Sequence, residues 1–441
     1  MRKTFLSASV AALLSGLSLS AEAVNLLEAY NDAVKNDPQT LIAKAQYDIA
    51  REGETATFAK LLPQINATAG YSLVDTENYT AATDTLTDLS YDELSYGVSL
   101  SQTIFSMGSW YELDSSEKAA LKAQADFDLA QQSLISRVTN AYFNVLKAKD
   151  SLEFVQAEKK AIERQLEQTK QRFQVGLTAI TDVHEAQANF DAAVAREIRS
   201  QNDIEIQKEA LREITGKYYN DFDGLNTERF DAAMPSPSKI QNWVTKSENN
   251  NLELKAKELQ VEAAKFDIKR ANAGHFPTLS LSAGLSNRER GEDLADPGIN
   301  TTSIGLSLNV PLYSGGATSA AVRQAQANYV IASESMELTH RAVVRQVRSS
   351  YADVVALVSS LRALEQAVVS AESALKATQA GFEVGTRTIV DVLNSTQNLY
   401  NAKRNLSNTR YDYILATLSL KQASGSLNAN DVTAVNQGLI K

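Results

Sequence analysis

The run Leu94-Ser95-Tyr96-Gly97-Val98-Ser99-Leu100-Ser101 decides the fold. Large apolar residues alternate with serine and glycine, the period of a strand with one oily and one wet face. The alternation continues through Gln102 to Ile104 and recurs in three other places. Ile65, Ala67, Ala69, Tyr71 and Leu73 alternate with Gln64, Asn66, Thr68, Gly70 and Ser72; Leu279, Leu281, Ala283 and Leu285 alternate with Thr278, Ser280, Ser282 and Gly284; Ile304, Leu306, Leu308 and Val310 alternate with small or polar partners. A small, polar wet face suits the inside of a water-filled barrel whose oily face meets lipid. The alternative is a soluble sandwich, in which the oily face packs on a second sheet. The polar stretches Asp75 to Tyr91 and Asn287 to Asn300 are expected to be long hairpin loops, suited to the extracellular side. Four strands are too few to close a barrel, since small membrane barrels begin at about eight, so each subunit must borrow strands from copies of itself. A dimer's eight strands would enclose an interior largely filled by side chains, whereas the twelve of a trimer leave room to conduct.

Beyond each hairpin the chain turns helical and stays so, from about Ser109 to Arg172 and from about Thr318 to Gly381, with scarcely a proline or glycine inside. Such helices span roughly 95 Å, far beyond an ordinary globular helix. Shorter helices are expected over Asn25 to Leu61, Thr181 to Thr215, Ile240 to Ala273 and Ile389 to Ser424. Val138, Ala141, Tyr142, Val145 and Leu146 recur at three- and four-residue steps, which suits helix-on-helix packing. A soluble coiled-coil spacer would explain the helices but leaves the hairpins unexplained.

The two halves are duplicates at a shift of about 209 residues. Arg172-Phe173-Gln174-Val175-Gly176 falls on Gly381-Phe382-Glu383-Val384-Gly385, and Ile180-Thr181-Asp182-Val183 on Ile389-Val390-Asp391-Val392. Ile104-Phe105-Ser106-Met107-Gly108 faces Leu312-Tyr313-Ser314-Gly315-Gly316, and Leu62-Pro63-Gln64 faces Phe276-Pro277-Thr278 at a slightly different shift. The organisation expected is a first repeat over 24–217, a connector over 218–239 broken by Pro235 and Pro237, a second repeat over 240–424, and an irregular Gly-, Asn- and Ser-rich tail over 425–441.

Residues 1–23 read as a removable signal peptide: Arg2 and Lys3, an apolar stretch from Phe5 to Leu19, then Ala21-Glu22-Ala23 as a small-x-small cleavage site before Val24. No run of about 18 consecutive apolar residues occurs elsewhere, so membrane insertion is expected to use strands. The net charge of −10 and sequence pI near 5.1 argue against nucleic acid as a partner and fit an acidic duct or surface. The absence of cysteine leaves stability to packing or assembly. His184, His275 and His340 are scattered, His184-Glu185 lacks the second histidine of a zinc-protease helix, and neither common phosphate loop is present. No enzyme activity, cofactor or metal site is therefore expected. Trp110 and Tyr111, just after a strand, suit either the membrane interface or packing.

Arg172-Phe173-Gln174-Val175-Gly176 through Val183, Gly385-Thr386-Arg387-Thr388-Ile389-Val390-Asp391-Val392-Leu393 and Pro311-Leu312-Tyr313-Ser314-Gly315-Gly316 resemble the TolC family of outer-membrane efflux channels, over essentially the whole mature chain. The resemblance implies an α+β outer-membrane protein that extends into the periplasm: a homotrimer with a twelve-stranded barrel continuous with an α-helical tunnel, closed at its inner end by coiled-coil helices. It implies a passive duct for drugs, small molecules and secreted proteins, serving multidrug efflux and type I secretion. The implied partners are a periplasmic adaptor (membrane fusion) protein, an inner-membrane RND, ABC or MFS transporter, and outer-membrane lipid. Asp391 resembles an aperture aspartate ringing the pore, a place where divalent cations could block. The family's second acid one turn on is Asn394 here, which weakens cation binding. Asp182 and Arg387 resemble a pair that ties inner and outer helices when closed, with Thr181 beside them. Phe382 stands where the pattern can have a tyrosine, and losing that hydroxyl removes a hydrogen bond worth about 1 kcal/mol. Val175, Gly176, Leu177, Val384, Gly385 and Thr386 form the turns expected at adaptor-docking tips.

From the residues alone, Asp182 and Asp391 could instead favour the dipole of a new helix N-terminus, and the glycines could simply reverse the chain. A surface adhesin or spacer without a lumen, and a periplasmic adaptor, are the rival functions. The small polar wet face favours a duct over the first, and the amphipathic hairpins argue against the second.

Overall fold

The computed structural model describes residues 23–80, 85–291 and 298–440; the expected signal peptide lies, but for Ala23, outside the described residues. In chain order the elements are α1 (Leu26–Asn36), α2 (Pro38–Ala59), β1 (Gln64–Thr80), β2 (Thr85–Phe105), α3 (Met107–Gln174), α4 (Ile180–Thr215), β3 (Gly224–Leu225), α5 (Ile240–Asn250), α6 (Leu252–Asn272), a 3-10 turn (Ala273–His275), β4 (Thr278–Arg290), β5 (Ile299–Asn309), α7 (Ala317–Glu383), α8 (Ile389–Ala423), α9 (Ala429–Asn436) and β6 (Leu439–Ile440). The chain divides into two compact units: one of residues 1–41, 131–247 and 346–441, the other of residues 42–130 and 248–345.

The second unit holds the expected four strands in one antiparallel sheet ordered β1-β2-β4-β5, so the two hairpins are joined through β2 and β4. Alternation places Ile65, Tyr71, Leu73, Leu94, Val98, Leu285, Ile304, Leu306 and Leu308 on one face, and every one is exposed in the single chain; Ile304 is 80% exposed. The stretch expected as a loop over Asp75 to Tyr91 is instead mostly strand: β1 pairs with β2 out to Thr80 opposite Thr85, and residues 81–84 lie outside the described residues. Tyr79, Thr80, Thr85 and Thr87 are good strand formers, so polarity there did not end the strands. Likewise β4 runs to Arg290 and β5 begins at Ile299. Helices in this unit pack on small residues, with Ala125, Ala256 and Leu259 in one buried cluster and Val261, Ala264 and Ala332 in another.

Two expected helices are broken. The Asn25 to Leu61 segment stops at Asp37, whose β-region backbone (φ −66°, ψ 116°) ends α1 just before Pro38, as a residue preceding proline must leave helical geometry. Pro38 then opens α2, where its missing N–H costs nothing. The Asp37 carboxylate accepts from the Thr40 N–H at 2.8 Å and the Thr40 hydroxyl at 2.7 Å. The Ile240 to Ala273 segment breaks in the same way at Asn251, whose side chain accepts from the Leu254 N–H at 3.0 Å to cap α6. Among the helices searched, α7 is long and apolar enough by length and composition alone to cross a membrane, although charged and polar residues interrupt it and it holds no run of 18 consecutive apolar residues. Its small residues suit packing, and Val347, Val354, Val358 and Leu361 are buried.

The first unit is centred on Leu134, Val138, Tyr142, Phe143 and Val145 of α3, packed with Leu26 and Ala29 of α1, Leu211 of α4 and Tyr411 of α8. Tyr142 is fully buried, and its hydroxyl lies 2.9 Å from the carbonyl oxygens of both Val24 and Asp223. The tail expected to be irregular forms α9 and β6, and β6 pairs with β3 in the connector. Val24 bridges Phe222 close by, so both ends of the described chain are tied to the same short connector segment. Gln132 adds a tie by donating its side-chain amide to the Leu427 carbonyl at 2.9 Å.

Arg137 of α3 forks onto Asp37 with Nη1–Oδ1 at 2.8 Å and Nη2–Oδ2 at 2.6 Å. Burial alone would raise the Asp37 carboxyl, but the hydrogen bonds from Arg137 and Thr40 outweigh it and hold the group at about 2. A depressed carboxyl stabilises the fold above its unfolded value, and that contribution is lost as pH falls through the folded one. Asp37→Asn should therefore cost roughly 2 kcal/mol at neutral pH, an effect that shrinks between about pH 4 and pH 2 in thermal melts. Tyr142→Phe leaves two buried carbonyls without their shared donor and should lower stability by about 1–3 kcal/mol at every pH in that range.

Candidate functional site

Four helix ends converge in one apolar cluster: Ile162 and Leu166 of α3, Ala186 and Ala193 of α4, Phe382 of α7, and Ile389, Val392 and Leu393 of α8. The register of the α3–α4 hairpin is set further along by two crossed ion pairs, Arg196–Glu158 at 2.8 Å and Lys159–Glu197 at 2.6 Å. Glu158 is buried, and desolvation raises its carboxyl despite the opposing pull of Arg196 and Arg404.

The helices reverse through matching turns. After α3 the Gly176 N–H donates to the Phe173 carbonyl at 2.9 Å and the Leu177 N–H to the Arg172 carbonyl at 2.8 Å. After α7 the Gly385 N–H donates to the Phe382 carbonyl at 3.2 Å and the Thr386 N–H to the Gly381 carbonyl at 2.8 Å. Both are Schellman caps, and both need a left-handed residue at the bend, supplied by Gly176 (φ 76°) and Gly385 (φ 80°). The turns push Val175, Leu177 and Val384 outward, each at least two-thirds exposed.

The two aspartates that follow these turns are held differently. Asp391 and Thr388 form a capping box at the start of α8: the Asp391 N–H donates to Thr388 Oγ1 at 3.2 Å, while the Thr388 N–H and hydroxyl donate to Asp391 Oδ2 at 2.9 and 3.0 Å. The Thr388 backbone and side-chain bonds, with a smaller pull from Arg387, hold the Asp391 carboxyl below its ordinary value of 3.8. Asn394 is exposed one helical turn on, on the same side of α8. At the start of α4 the equivalent cap position is Ala179, which offers no side chain, and the Asp182 carboxylate accepts from the Thr178 hydroxyl instead. Thr181 beside it is exposed.

Among the described residues no ion pair joins Asp182 to Arg387 within the chain. Arg387 lies over Gly381 instead: a Cβ at Gly381 would meet Arg387 Cγ at 2.7 Å, so only glycine leaves room for that side chain. Phe382 does not stand out toward a latch either. It is 7% exposed, buried in the four-helix cluster, with the Arg172 guanidinium 4.7 Å from its ring centroid. Sequence reasoning missed Arg172, although its place beside the Val-Gly turn was visible. Among the described residues no group of three or more potential ligands could hold a metal ion.

The family described as outer membrane efflux protein matches residues 29–217 and 243–426, the two duplicated halves. The chain is 46% identical to the outer membrane protein TolC of Vibrio cholerae, across 99% of each chain. It is 30% identical to the alkaline protease secretion protein AprF of Pseudomonas aeruginosa, over 94% of this chain and 87% of AprF. In fold it is similar to the CmeC outer membrane channel of Campylobacter jejuni, with a TM-score of 0.79, 17% identity, and coverage of 100% of this chain and 98% of that one. With its two halves matched in full and a near full-length relative at 46% identity, the chain belongs to the outer membrane efflux protein family and is a protein of the outer membrane.

Proposed function

We propose that three copies of this chain join sheet edge to sheet edge into one closed barrel and act as a gated exit duct. A member of this family is a transport channel, not an enzyme, and this chain is an outer-membrane exit duct for efflux pumps and type I secretion. The observation that carries the reading is the sheet itself. Its four strands expose a continuous oily face, and β1 and β5 each leave one edge without a partner among the described strands. Open edges do not survive in hydrocarbon, and copies of the same sheet supply the missing partners.

In this reading the wet faces, lined by Ser, Thr, Gly and Asn, form the lumen, and Asp391 with Asn394 lines its narrow inner entrance. The three-fold carboxylate ring attracts cations, with Asn394 in place of a second acid limiting how tightly a divalent ion is held. Because Asp182 and Arg387 find no ion pair with each other inside one chain, the latch is made between neighbours, Arg387 of one copy reaching Asp182 and Thr181 of the next. Phe382 holds the end of α7 in place behind it. The exposed turns at Val175, Gly176 and Leu177 and at Val384, Gly385 and Thr386 are the docking points for a periplasmic adaptor, which couples the duct to an inner-membrane RND, ABC or MFS transporter. Energy comes from that transporter, and the duct conducts drugs, small molecules or secreted proteins passively once the tips part.

Planar-bilayer recording of the purified mature protein tests the duct. Small cation-selective currents, blocked by divalent cations in the wild type and less so in Asp391→Ala, are expected. Since hydrogen bonds from Thr388 hold the Asp391 carboxyl below its ordinary value, the block should fade at a lower pH than an ordinary aspartate would allow. Silence from inserted oligomers, even with loosened tips, would favour a spacer without a lumen. Arg387→Ala should separately raise the resting current several-fold, and an unchanged current would remove Arg387 from the latch.

A further inference from the structure

The duplicated tips share a backbone and differ in chemistry. Where the first repeat carries Arg172 the second carries Gly381; where the first exposes Phe173, at 41%, the second buries Phe382. From this asymmetry we infer that the Arg172 guanidinium, seated on the Phe382 ring, is a latch within each subunit that holds the two tip turns together in the closed duct, an inference that rests on the gated-duct reading above.

The contact is 4.7 Å from guanidinium carbon to ring centroid, inside the reach of a cation–π interaction. Arg172 Nε is buried without a hydrogen-bond partner, and no ion pair reaches this side chain among the described residues. For a guanidinium partly withdrawn from water, the negative potential at hand is the face of the ring.

Both residues are fixed at the backbone by the turns they join. The Arg172 carbonyl accepts from the Leu177 N–H in the first Schellman cap, and the Phe382 carbonyl from the Gly385 N–H in the second. Phe382 shares its buried cluster with Ile389, Val392 and Leu393 of α8, so its place is set by the α7–α8 hairpin that carries it. Movement of that hairpin away from α3 breaks the contact, and return remakes it. Being partly withdrawn from solvent, the latch is screened by salt less than an exposed ion pair, so it keeps the tips shut where such pairs have weakened.

Replacing Phe382 in the full mature chain by mono-, di- and trifluorophenylalanine tests this, because fluorine drains the negative face of the ring with little change in size. Resting current per inserted oligomer is expected to climb with each fluorine. The rise should be roughly tenfold between phenylalanine and trifluorophenylalanine, the change that a contact worth about 1.4 kcal/mol controls. Arg172→Gln should raise the current similarly, and Arg172→Lys less. A flat fluorine series together with a silent Arg172→Gln, while Arg387→Ala still raises the current, would overturn the latch and leave the gated duct standing. If none of these variants, Arg387→Ala included, conducts although the oligomers insert, the gated duct fails and the latch with it.

Discussion

A strand in hydrocarbon must have every backbone N–H and C=O bonded to another strand, because an unmet group there costs several kcal/mol. That requirement fixes most of what this chain must be. Among the described residues its sheet has four strands and two open edges, and its oily face is exposed. Neither deficit can be made good internally, since the only other strands described, β3 and β6, are two residues each and pair with one another in the other unit. Assembly with copies is therefore a condition of the fold in a membrane, and a closed ring of copies encloses the wet face by necessity. A lumen follows from backbone hydrogen bonding before any question of transport arises.

Duplication gives that constraint its economy. Each half brings one hairpin and one pair of long helices, and in the described sheet the two hairpins join through the pairing of β2 with β4. The unit that holds the connector is organised differently, around a few buried anchors on α3. Tyr142 ties Val24 to Asp223, Arg137 holds the break between α1 and α2, and Gln132 reaches the loop before α9. These bonds join stretches more than 80 residues apart in sequence, so the unit's integrity rests on long-range polar contacts as well as on its core.

The features legible in the sequence were those with a period. Alternation located all four strands, and the 3.6-residue stripes located the long helices to within two residues at most ends, as with Met107–Gln174 against the expected Ser109 to Arg172. Boundaries set by chemistry rather than period were missed. Asp37-Pro38 and Asn251 break helices through one side chain each, and polarity over Asp75 to Tyr91 masked a continuing strand. The tail looked irregular because Gly425, Asn428 and Asn430 dominate its composition, yet Gly425 ends α8 with a left-handed bend and Asn428 caps α9. At the tips the turns were legible from their glycines, but side-chain destinations were not. Phe382 lies inward under Arg172, and Arg387 lies along Gly381 rather than against Asp182.

The comparison of Asp182 with Asp391 shows why equivalent positions in a duplicated protein can take on different work. In the second repeat Thr388 supplies a full capping box, which commits Oδ2 of Asp391 to its own helix and holds the carboxyl ionised. In the first repeat the cap position is Ala179, which makes no side-chain cap, and among the described residues the Asp182 carboxylate accepts from Thr178. A carboxylate can accept about four hydrogen bonds, so most of Asp182's capacity is left for a group arriving from outside. The loss of one hydroxyl between the repeats, threonine to alanine, thus separates two jobs that the same fold geometry would otherwise duplicate. Asp391 is thereby a charge whose position is set by its own helix, and Asp182 one with room for a further partner, the difference that the proposed ring and gate would each use.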